Sequence, residues 1–345
     1  MKNDTSMRGT ATRRRLLRDA ALGGSTLALW AILPAGVTSA ATESEPGIAQ
    51  SSKQDPVMQP TVDTSHATPA VAKQLVRYFR RKSARDLEGT MAFFAQRSST
   101  YIDATLGWQL ASWDELYDFF ATYMPTWPED SASYPVRILG DTRSALVFFT
   151  DTAGLFGPSE LRLAGAVDFE RGLITRQVDY WDGRHFGLDN LASLQLPADQ
   201  FPHDFRESTV GGSASAVMRR VVRHLAGALR QADGAAAAKL FAPDAVFEDV
   251  PSHISITGRA SIEKYLKAAS GLLPYAGART AVRHVLGNDV GGGYEFMAAD
   301  GPVPRGIVGL ELDSLQRISR LTALWDGSLV SDDALLSLAA RAVER

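Results

Sequence analysis

The sequence contains the same pattern twice, and this repeat restricts the possible folds more than any other feature. Phe94 recurs as Phe241, 147 positions later, and Trp181-Asp182-Gly183 recurs as Trp325-Asp326-Gly327, 144 positions later. Such a nearly constant spacing between the two sets of landmarks points to an internal duplication. Because a domain takes about 150 residues, the chain of 345 residues is predicted to fold as two similar units.

Each copy is predicted to begin with helices and to continue with strands only. In the first copy Val71, Leu75 and Phe79 recur at helical spacing, which indicates an amphipathic opening helix. A second helix is expected to end at Phe94, or at Phe241 in the second copy. Further strands are predicted in the first copy over 134–140, 144–152, 159–169 and 172–182.

Short polar motifs indicate where other elements begin and end. Ser112 and Ser261 are each expected to cap a third helix, because a serine side chain accepts a hydrogen bond from an N–H group of the first turn. Ser331, followed by Asp332 and Asp333, is likewise expected to cap a C-terminal helix. The strand before the third helix is expected to end at Asp103 or Asp249. Helices followed by a run of antiparallel strands predict an α+β fold.

The first forty residues have the composition of an export signal. Arg13-Arg14-Arg15 precedes an apolar, small-residue run from Ala20 to Ala40, which is the order of parts in such signals. The run resembles a twin-arginine (Tat) signal, which implies export from a bacterial cytoplasm to a periplasmic or extracellular location. An uncleaved single-span anchor is the alternative, although the glycines and proline in the run favour a signal. We therefore predict a signal over 1–40, a disordered linker over 41–67, a first unit over 68–195, a second linker over 196–212 and a second unit over 213–345.

The composition excludes several kinds of site. The chain has no cysteine, which excludes disulfide scaffolds, thiolate metal sites and thiol nucleophiles. None of the six histidines has the spacing of a metal-ligand pair, and no nucleophile elbow occurs, so we predict no metal and no other cofactor. Residues 1–40 carry six basic and two acidic side chains, so the formal charge of −3 for the whole chain becomes −7 for the remainder. A small hydrophobic molecule is therefore a better candidate partner than nucleic acid, and no membrane contact is predicted beyond the export signal.

The order of elements and the closing strand resemble a known superfamily. A strand with an acidic end follows two helices, and the last strand of the first copy reads Arg176-Gln177-Val178-Asp179-Tyr180-Trp181-Asp182. This pattern resembles the SnoaL-like, nuclear-transport-factor-2-like superfamily over about 68–190 and 213–340. The resemblance implies two tandem cone-shaped α+β barrels, each a curved antiparallel sheet wrapped on helices around a pocket. It also implies that the two barrels form a pseudo-dimer, and it leaves a further homo-oligomer open.

One enzyme family within this superfamily suggests which carboxylates do chemistry. The closing strand resembles that of limonene-epoxide hydrolase, which implies that Asp179 faces the pocket and activates water. The same resemblance places Asp151 in the site as a partner or acid. The sequence departs from the family at Phe149, where the family has an arginine that polarises the epoxide.

The first strand resembles a second enzyme family. Phe247-Glu248-Asp249-Val250 is similar to the strand that carries the proton-shuttling aspartate of ketosteroid isomerases, and Asp103 is its counterpart in the first copy. This resemblance also implies that Tyr78, on the first helix, donates to an oxyanion. Carboxylates that share an apolar pocket have raised and separated pKa values, which provides an acid and a base from one residue type.

Aromatic side chains are expected to form the walls of the pocket, unless they pack in the core, and to suit a polyketide, terpenoid or steroid-like molecule. The candidate wall residues are Trp108, Tyr117, Tyr123, Trp127, Phe149 and Trp181. The second copy has Ala323 at the position of Asp179 and Leu225 at that of Tyr78, so only the first copy is expected to be catalytic. The candidates for a separate acid–base group in the second copy are Glu248, Asp249 and His284.

The leading hypothesis is an exported, cofactor-independent acid–base enzyme that acts on a small hydrophobic molecule by epoxide opening or cyclisation, isomerisation or dehydration. The alternatives are a non-catalytic protein that binds a small apolar ligand and an assembly module. Asp103, Asp249 and Asp151 also fit structural roles at strand ends, and the aspartates of the two Trp-Asp-Gly motifs fit turns. Convergence of Asp103, Asp151 and Asp179 on one enclosed cavity would favour catalysis, whereas carboxylates in solvent would favour the alternatives.

Overall fold

The computed structural model describes residues 60–205, 207, 212–299 and 301–343. The prediction of a disordered linker over 41–67 is wrong at its end, because Asp63–Ala67 forms a strand that pairs with Ser133–Gly140. The predicted signal and residues 41–59 of that linker lie outside the described residues. Within them the chain forms a seven-stranded and a six-stranded mixed sheet, each accompanied by helices, so the α+β prediction is confirmed. None of the described helices has the length and apolar character needed to cross a bilayer.

The first sheet and its helices come from the first half of the described chain. Its strands are β1 Asp63–Ala67, β2 Thr100–Asp103, β3 Trp108–Leu110, β4 Ser133–Gly140, β5 Ser144–Asp151, β6 Leu161–Glu170 and β7 Leu173–Trp181. Its helices are α1 Pro69–Ser83, α2 Leu87–Met91, α3 Trp113–Tyr123 and α4 Leu188–Leu194. The strand order is β1-β4-β5-β6-β7-β2-β3. The pairs β1–β4 and β7–β2 are parallel and the others antiparallel.

The second sheet has the same order without an equivalent of β1. Its strands are β8 Phe241–Asp249, β9 Ile254–Thr257, β10 Thr280–Gly287, β11 Gly291–Ala298, β12 Arg305–Leu312 and β13 Ile318–Trp325. Its helices are α5 Ala216–Arg230, α6 Gly234–Ala238, α7 Arg259–Ala269 and α8 Asp332–Ala342. The strands follow one another as β10-β11-β12-β13-β8-β9, which matches β4-β5-β6-β7-β2-β3 of the first sheet.

Two of the three predicted serine caps are present. Ser112 accepts a hydrogen bond from the N–H of Glu115 at the start of α3, and Ser331 accepts one from Ala334 at the start of α8. The prediction for Ser261 is wrong, because this residue lies inside α7 and the helix is capped by Gly258, whose φ is 92°. Only glycine adopts this backbone conformation without strain.

The second helix of each half ends earlier than predicted. Helix α2 ends at Met91, and α6 ends at Ala238, three residues before Phe241 opens β8. The chain leaves the helix here because Phe94 and Phe241 pair in parallel with Ile174 and Ile318 of the closing strands. Hydrogen bonding to the sheet replaces the last predicted turn of helix.

The two faces of each sheet have different partners. Alternate residues of β5, such as Val147 and Phe149, belong to a core shared with the helices of the same half. Their neighbours Leu146 and Phe148 instead pack with Ile307 of the second sheet. The two sheets therefore pack against each other through the faces that their helices leave free.

The two Trp-Asp-Gly motifs are joined by reciprocal hydrogen bonds. The N–H of Gly183 donates to Asp326 Oδ1 over 3.1 Å, and the N–H of Gly327 donates to Asp182 Oδ1 over 3.1 Å. Each aspartate also caps the short 3₁₀ helix that follows it. Asp182 and Asp326 thus have the structural role expected for them, and in addition each one connects the two halves.

Candidate active site

Two of the predicted catalytic carboxylates lie side by side on the helix-covered face of the first sheet. Asp103 on β2 is the direct partner of Asp179 on the parallel strand β7, and adjacent strands are about 4.8 Å apart. On the other side of Asp179 its partner is Gly165 of β6. Gly165 makes room for the carboxylate, since a Cβ atom built at this position lies 2.7 Å from Asp179 Oδ1.

These two carboxylates and Asp151, the last residue of β5, meet at one cavity of about 50 Å³. A space of this size holds several water molecules or part of a small ligand. Apart from the three carboxylates its lining is mostly apolar. The remaining lining residues are Tyr101, Leu106, Trp108, Leu110, Phe119, Phe156, Leu161, Leu163, Trp181, Phe186 and Leu194.

Asp179 is buried and held from two sides. The hydroxyl of Tyr101 donates to its Oδ2 over 2.5 Å, and Gln177 Nε2 donates to its Oδ1 over 3.0 Å. Burial raises the pKa of Asp179 to about 6, although the hydrogen bond from Tyr101 and the charge of Lys82 oppose the rise. Tyr101 is not among the site residues predicted from the sequence. It could have been predicted, because it lies two residues before Asp103 and therefore on the same face of β2.

Asp103 accepts several N–H groups and still has a raised pKa. Its Oδ1 accepts the backbone N–H groups of Thr105 over 3.0 Å and Leu106 over 2.8 Å, and its Oδ2 accepts Trp181 Nε1 over 2.9 Å. Burial raises the pKa of Asp103 to about 7 despite these donors, and the charge of Asp179 contributes to the rise. Asp103 is therefore half-buried and held by N–H donors, and does not simply lie in water at a strand end.

Asp151 is paired with a buried lysine. Lys82 of α1 places its Nζ 3.6 Å from Asp151 Oδ1, and both side chains are almost fully buried. The same Nζ lies 5.4 Å from the centre of the Phe149 ring and 5.8 Å from that of Phe156, within the range of cation–π attraction. Lys82 of α1 thus places a buried cation between Asp151 and the ring of Phe149.

Lys82 could have been recognised from the helical spacing. Val71, Leu75 and Tyr78 form the apolar face of α1, and Lys82 lies four positions after Tyr78 on that same face. A charged residue on the buried face of a helix needs a partner. The sequence alone does not identify that partner, because Asp151 lies 69 positions away on another element.

Tyr78 lies close to the carboxylates but outside the cavity. Its hydroxyl is buried and makes no hydrogen bond of acceptable geometry among the described residues. Burial raises the pKa of Tyr78 well above its ordinary value, and the charges of Asp179 and Asp151 add to this rise. Tyr78 does not line the cavity, so the structure does not place it as a donor to a substrate there.

Of the six predicted wall residues, only Trp108 and Trp181 line the cavity. Phe149 lies under Lys82 in the core. The other three have different neighbours. Tyr117 stacks on Trp113 and donates to Glu88, Tyr123 packs on Phe119, and Trp127 packs on Phe156.

The three candidates of the second copy do not form one group. Glu248 and Asp249 are consecutive in β8 and point to opposite faces, so Glu248 pairs with Arg320 while Asp249 is buried in the core. Asp249 accepts hydrogen bonds from Ser252, Tyr275 and Trp325.

His284 lies apart from both acidic residues. Its Nε2 is 2.8 Å from Asp168 Oδ2 of the first sheet, where the two sheets pack together. The expectation of a separate acid–base group made of Glu248, Asp249 and His284 is therefore wrong, because strand alternation separates the first two and His284 belongs to the contact between sheets.

The second half fills the equivalent space with apolar side chains. Beside Asp249 lies Ala323, whose partner on β12 is Val308, where the first half has Asp179 and Gly165. In the first half the smaller residue, Gly165, lies on β6 and the larger one, Asp179, on β7. In the second half the larger residue, Val308, lies on β12 and the smaller one, Ala323, on β13. At the positions of Lys82 and Asp151 the second half has Leu229 and Ala298.

Replacing Gly165 with alanine should impair the site without unfolding the protein. The added methyl group displaces the Asp179 carboxylate and meets Val147 Cγ1 at 3.3 Å. For a reaction at this cavity we expect a loss of about tenfold or more in turnover, since misplacement of a catalytic group by about 1 Å costs up to about a hundredfold. The measurement is turnover together with circular dichroism. Gly271→Ala is the control, because a Cβ there meets nothing within 4 Å; equal activity of the two variants would refute the close packing.

Comparisons with known proteins give structural matches alone. No profile of a known protein family matches the sequence, and no curated protein matches it significantly. A putative ketosteroid isomerase from Kribbella flavida is 22% identical with a TM-score of 0.28, over 33% of this chain and 78% of that one. A steroid delta-isomerase from Pseudomonas aeruginosa is 19% identical with a TM-score of 0.29, over 37% and 90%. An NTF2-like protein of unknown function from Cytophaga hutchinsonii is 9% identical with a TM-score of 0.28, over 37% and 96%.

Proposed function

We propose that the first half of this protein is a cofactor-independent acid–base enzyme for a small, largely apolar molecule. The observation that carries the proposal is the convergence of Asp103, Asp151 and Asp179 on one cavity with apolar walls. A protein that only holds an apolar ligand gains nothing from three carboxylates in its binding cavity, because burying each of them costs free energy.

Of the two neighbouring carboxylates, Asp179 acts as the base and Asp103 as the acid. Asp179, with the lower pKa of about 6, is ionised at neutral pH and takes a proton. Asp103, with a pKa of about 7, is partly protonated at the same pH and gives a proton. A base and an acid with pKa values on either side of the working pH are efficient partners in proton transfer.

Among the reactions open to such a pair, the geometry favours opening of an epoxide ring. Asp179 removes a proton from water as the water oxygen attacks a ring carbon, Asp103 donates its proton to the epoxide oxygen, and the C–O bond breaks to give a diol. The excess proton on Asp179 then returns to Asp103 through water. Isomerisation through an enolate is less favoured, because the Tyr101 hydroxyl already donates to Asp179 and Tyr78 lies outside the cavity.

Two ring compounds of equal size test this proposal. Cyclohexene oxide reports epoxide hydrolysis by formation of the diol, and 3-cyclohexen-1-one reports isomerisation by formation of the conjugated ketone. We expect diol formation that depends on Asp179 and no conjugated ketone. Formation of the ketone alone would assign the site to isomerisation, and equal rates for the wild type and Asp179→Asn with both compounds would refute the proposed function.

Removing the hydroxyl of Tyr101 should shift the pH dependence of the reaction. The base must be ionised and the acid protonated, so kcat/KM should rise through about pH 6 and fall through about pH 7, as apparent values of the coupled pair. The Tyr101 hydrogen bond lowers the pKa of Asp179. In Tyr101→Phe we therefore expect the acidic limb to move to higher pH and the maximum to fall.

The pH–rate profile of a second tyrosine variant provides the control. Tyr117 also donates to a carboxylate, that of Glu88, but on the surface and outside the cavity. Tyr117→Phe should leave both limbs unchanged. An acidic limb that stays in place in Tyr101→Phe would show that Asp179 is not the base.

A further inference from the structure

We infer that the substrate of the proposed enzyme carries a protonated amine, and that the cavity binds this ammonium group beside Asp151. The inference rests on the proposed function for the identity of the reacting groups. It adds the chemical class of the molecule that reacts and the place of its charged end.

The first argument is the balance of charge at the cavity. The charged groups that face it or lie directly behind it among the described residues are Asp103, Asp151, Asp179 and Lys82. The three carboxyl groups bring up to three negative charges against the single positive charge of Lys82. A ligand cation reduces this excess, and a buried site of low dielectric favours neutrality.

The second argument is an unsatisfied hydrogen-bond acceptor on Asp151. Asp151 lines the cavity, and its buried Oδ1 accepts no hydrogen bond among the described residues, since the Nζ of Lys82 lies 3.6 Å away. Unpaired buried acceptors are costly, and an ammonium group brings three N–H donors.

The third argument is that this part of the core already stabilises one ammonium group. The Nζ of Lys82 lies against the rings of Phe149 and Phe156 as well as beside Asp151. Phe156 also lines the cavity, together with Trp108 and Trp181. Aromatic faces next to a carboxylate are the combination that binds organic ammonium ions in other proteins.

The affinities of three matched compounds, measured by calorimetry, test the inference. Cyclohexylammonium, cyclohexanol and cyclohexanecarboxylate share one ring and differ in charge. At pH 7.5 we expect the ammonium ion to bind about tenfold more tightly than the alcohol and the carboxylate not to bind. At pH 5 the Asp179 carboxylate is largely protonated, so the ratio should fall toward one.

Two variants separate this inference from the proposed function. Asp179→Asn removes one negative charge from the cavity, so the ammonium ion should lose its advantage over the alcohol at both pH values. Asp118→Asn removes the same charge from the exposed side of α3 and should change nothing. Equal affinity of the wild type for the ammonium ion and the alcohol, absence of ammonium binding, or an ammonium preference that survives in Asp179→Asn would overturn the inference. Loss of epoxide turnover in Asp179→Asn would support the proposed function in each of these cases.

Discussion

Replacing Asp179 with asparagine should lower turnover of the epoxide by about 10²–10⁴-fold, the contribution of a well-placed general base. Asparagine has nearly the same shape, and its oxygen still accepts the hydrogen bond from Tyr101. The fold should therefore persist, as measured by circular dichroism and thermal unfolding. Asp118→Asn is the matched control, because Asp118 is exposed on α3. Unchanged turnover in Asp179→Asn would remove this residue from the mechanism.

The same substitution should also make the protein more stable at neutral pH. The pKa of Asp179 is raised from 3.8 to about 6 in the folded protein, so the folded state binds a proton more tightly than the unfolded state. The stability of the wild type therefore decreases as the pH rises from about 4 to about 6 and is constant above. We expect Asp179→Asn to be about 1–3 kcal/mol more stable at pH 7.5.

Urea unfolding at two pH values measures this effect. The difference between the wild type and Asp179→Asn should be present at pH 7.5 and vanish below about pH 4, where the wild-type carboxyl is protonated in both states. A variant that is both inactive and more stable would show that the carboxylate is retained for the reaction and not for the fold. A variant that is less stable at pH 7.5 would show that the ionised carboxylate contributes to folding.

Most of the fold was predictable because it depends on patterns that are local in sequence. Strand alternation in β7 predicts that Asp179 and Trp181 share one face and Arg176 lies on the other; in the structure the first two line the cavity, whereas Arg176 pairs with Glu295 of the second sheet. Helix ends were less predictable, since Ser261 and Gly258 both occur near the start of α7 and only the backbone conformation distinguishes them. The second helix of each half was predicted too long, because pairing with a distant strand competes with the last turn.

The candidate site was predictable only in part, because its contacts join residues far apart in the chain. Asp103, Asp151 and Asp179 were named from short motifs and do meet at one cavity. Lys82 was missed because its partner lies on another element, and Gly165 because a glycine indicates nothing until its neighbour is known. The predicted aromatic walls were mostly wrong, since aromatic composition does not distinguish the lining of a cavity from the core around it.

Removing either partner of the Lys82–Asp151 pair alone should destabilise the protein by about 3–5 kcal/mol, because the other partner is left as an uncompensated buried charge. Lys82→Leu and Asp151→Ala are the informative changes, since the second half has Leu229 and Ala298 at these positions. The double variant should be within about 1–2 kcal/mol of the wild type, because apolar replacement of a whole buried pair is often neutral. The difference between the double variant and the two single variants gives the coupling free energy.

An exposed ion pair provides the control for this cycle. Lys267 and Glu263 lie 2.5 Å apart on α7, with side chains 56% and 39% exposed, and the corresponding cycle should give a coupling of no more than about 0.5 kcal/mol. Strictly additive effects of Lys82→Leu and Asp151→Ala would show that the buried pair is not coupled.

The double variant also tests why the pair is present. Lys82 lowers the pKa of Asp179 more than Asp151 raises it, so loss of both should move the acidic limb of the pH–rate profile to higher pH. A stable double variant with a shifted limb would assign the pair to the tuning of the base. The second half has neither the pair nor the carboxylate, with Leu229, Ala298 and Ala323 at the equivalent positions. An unshifted limb in a stable double variant would show that the pair does not act on Asp179.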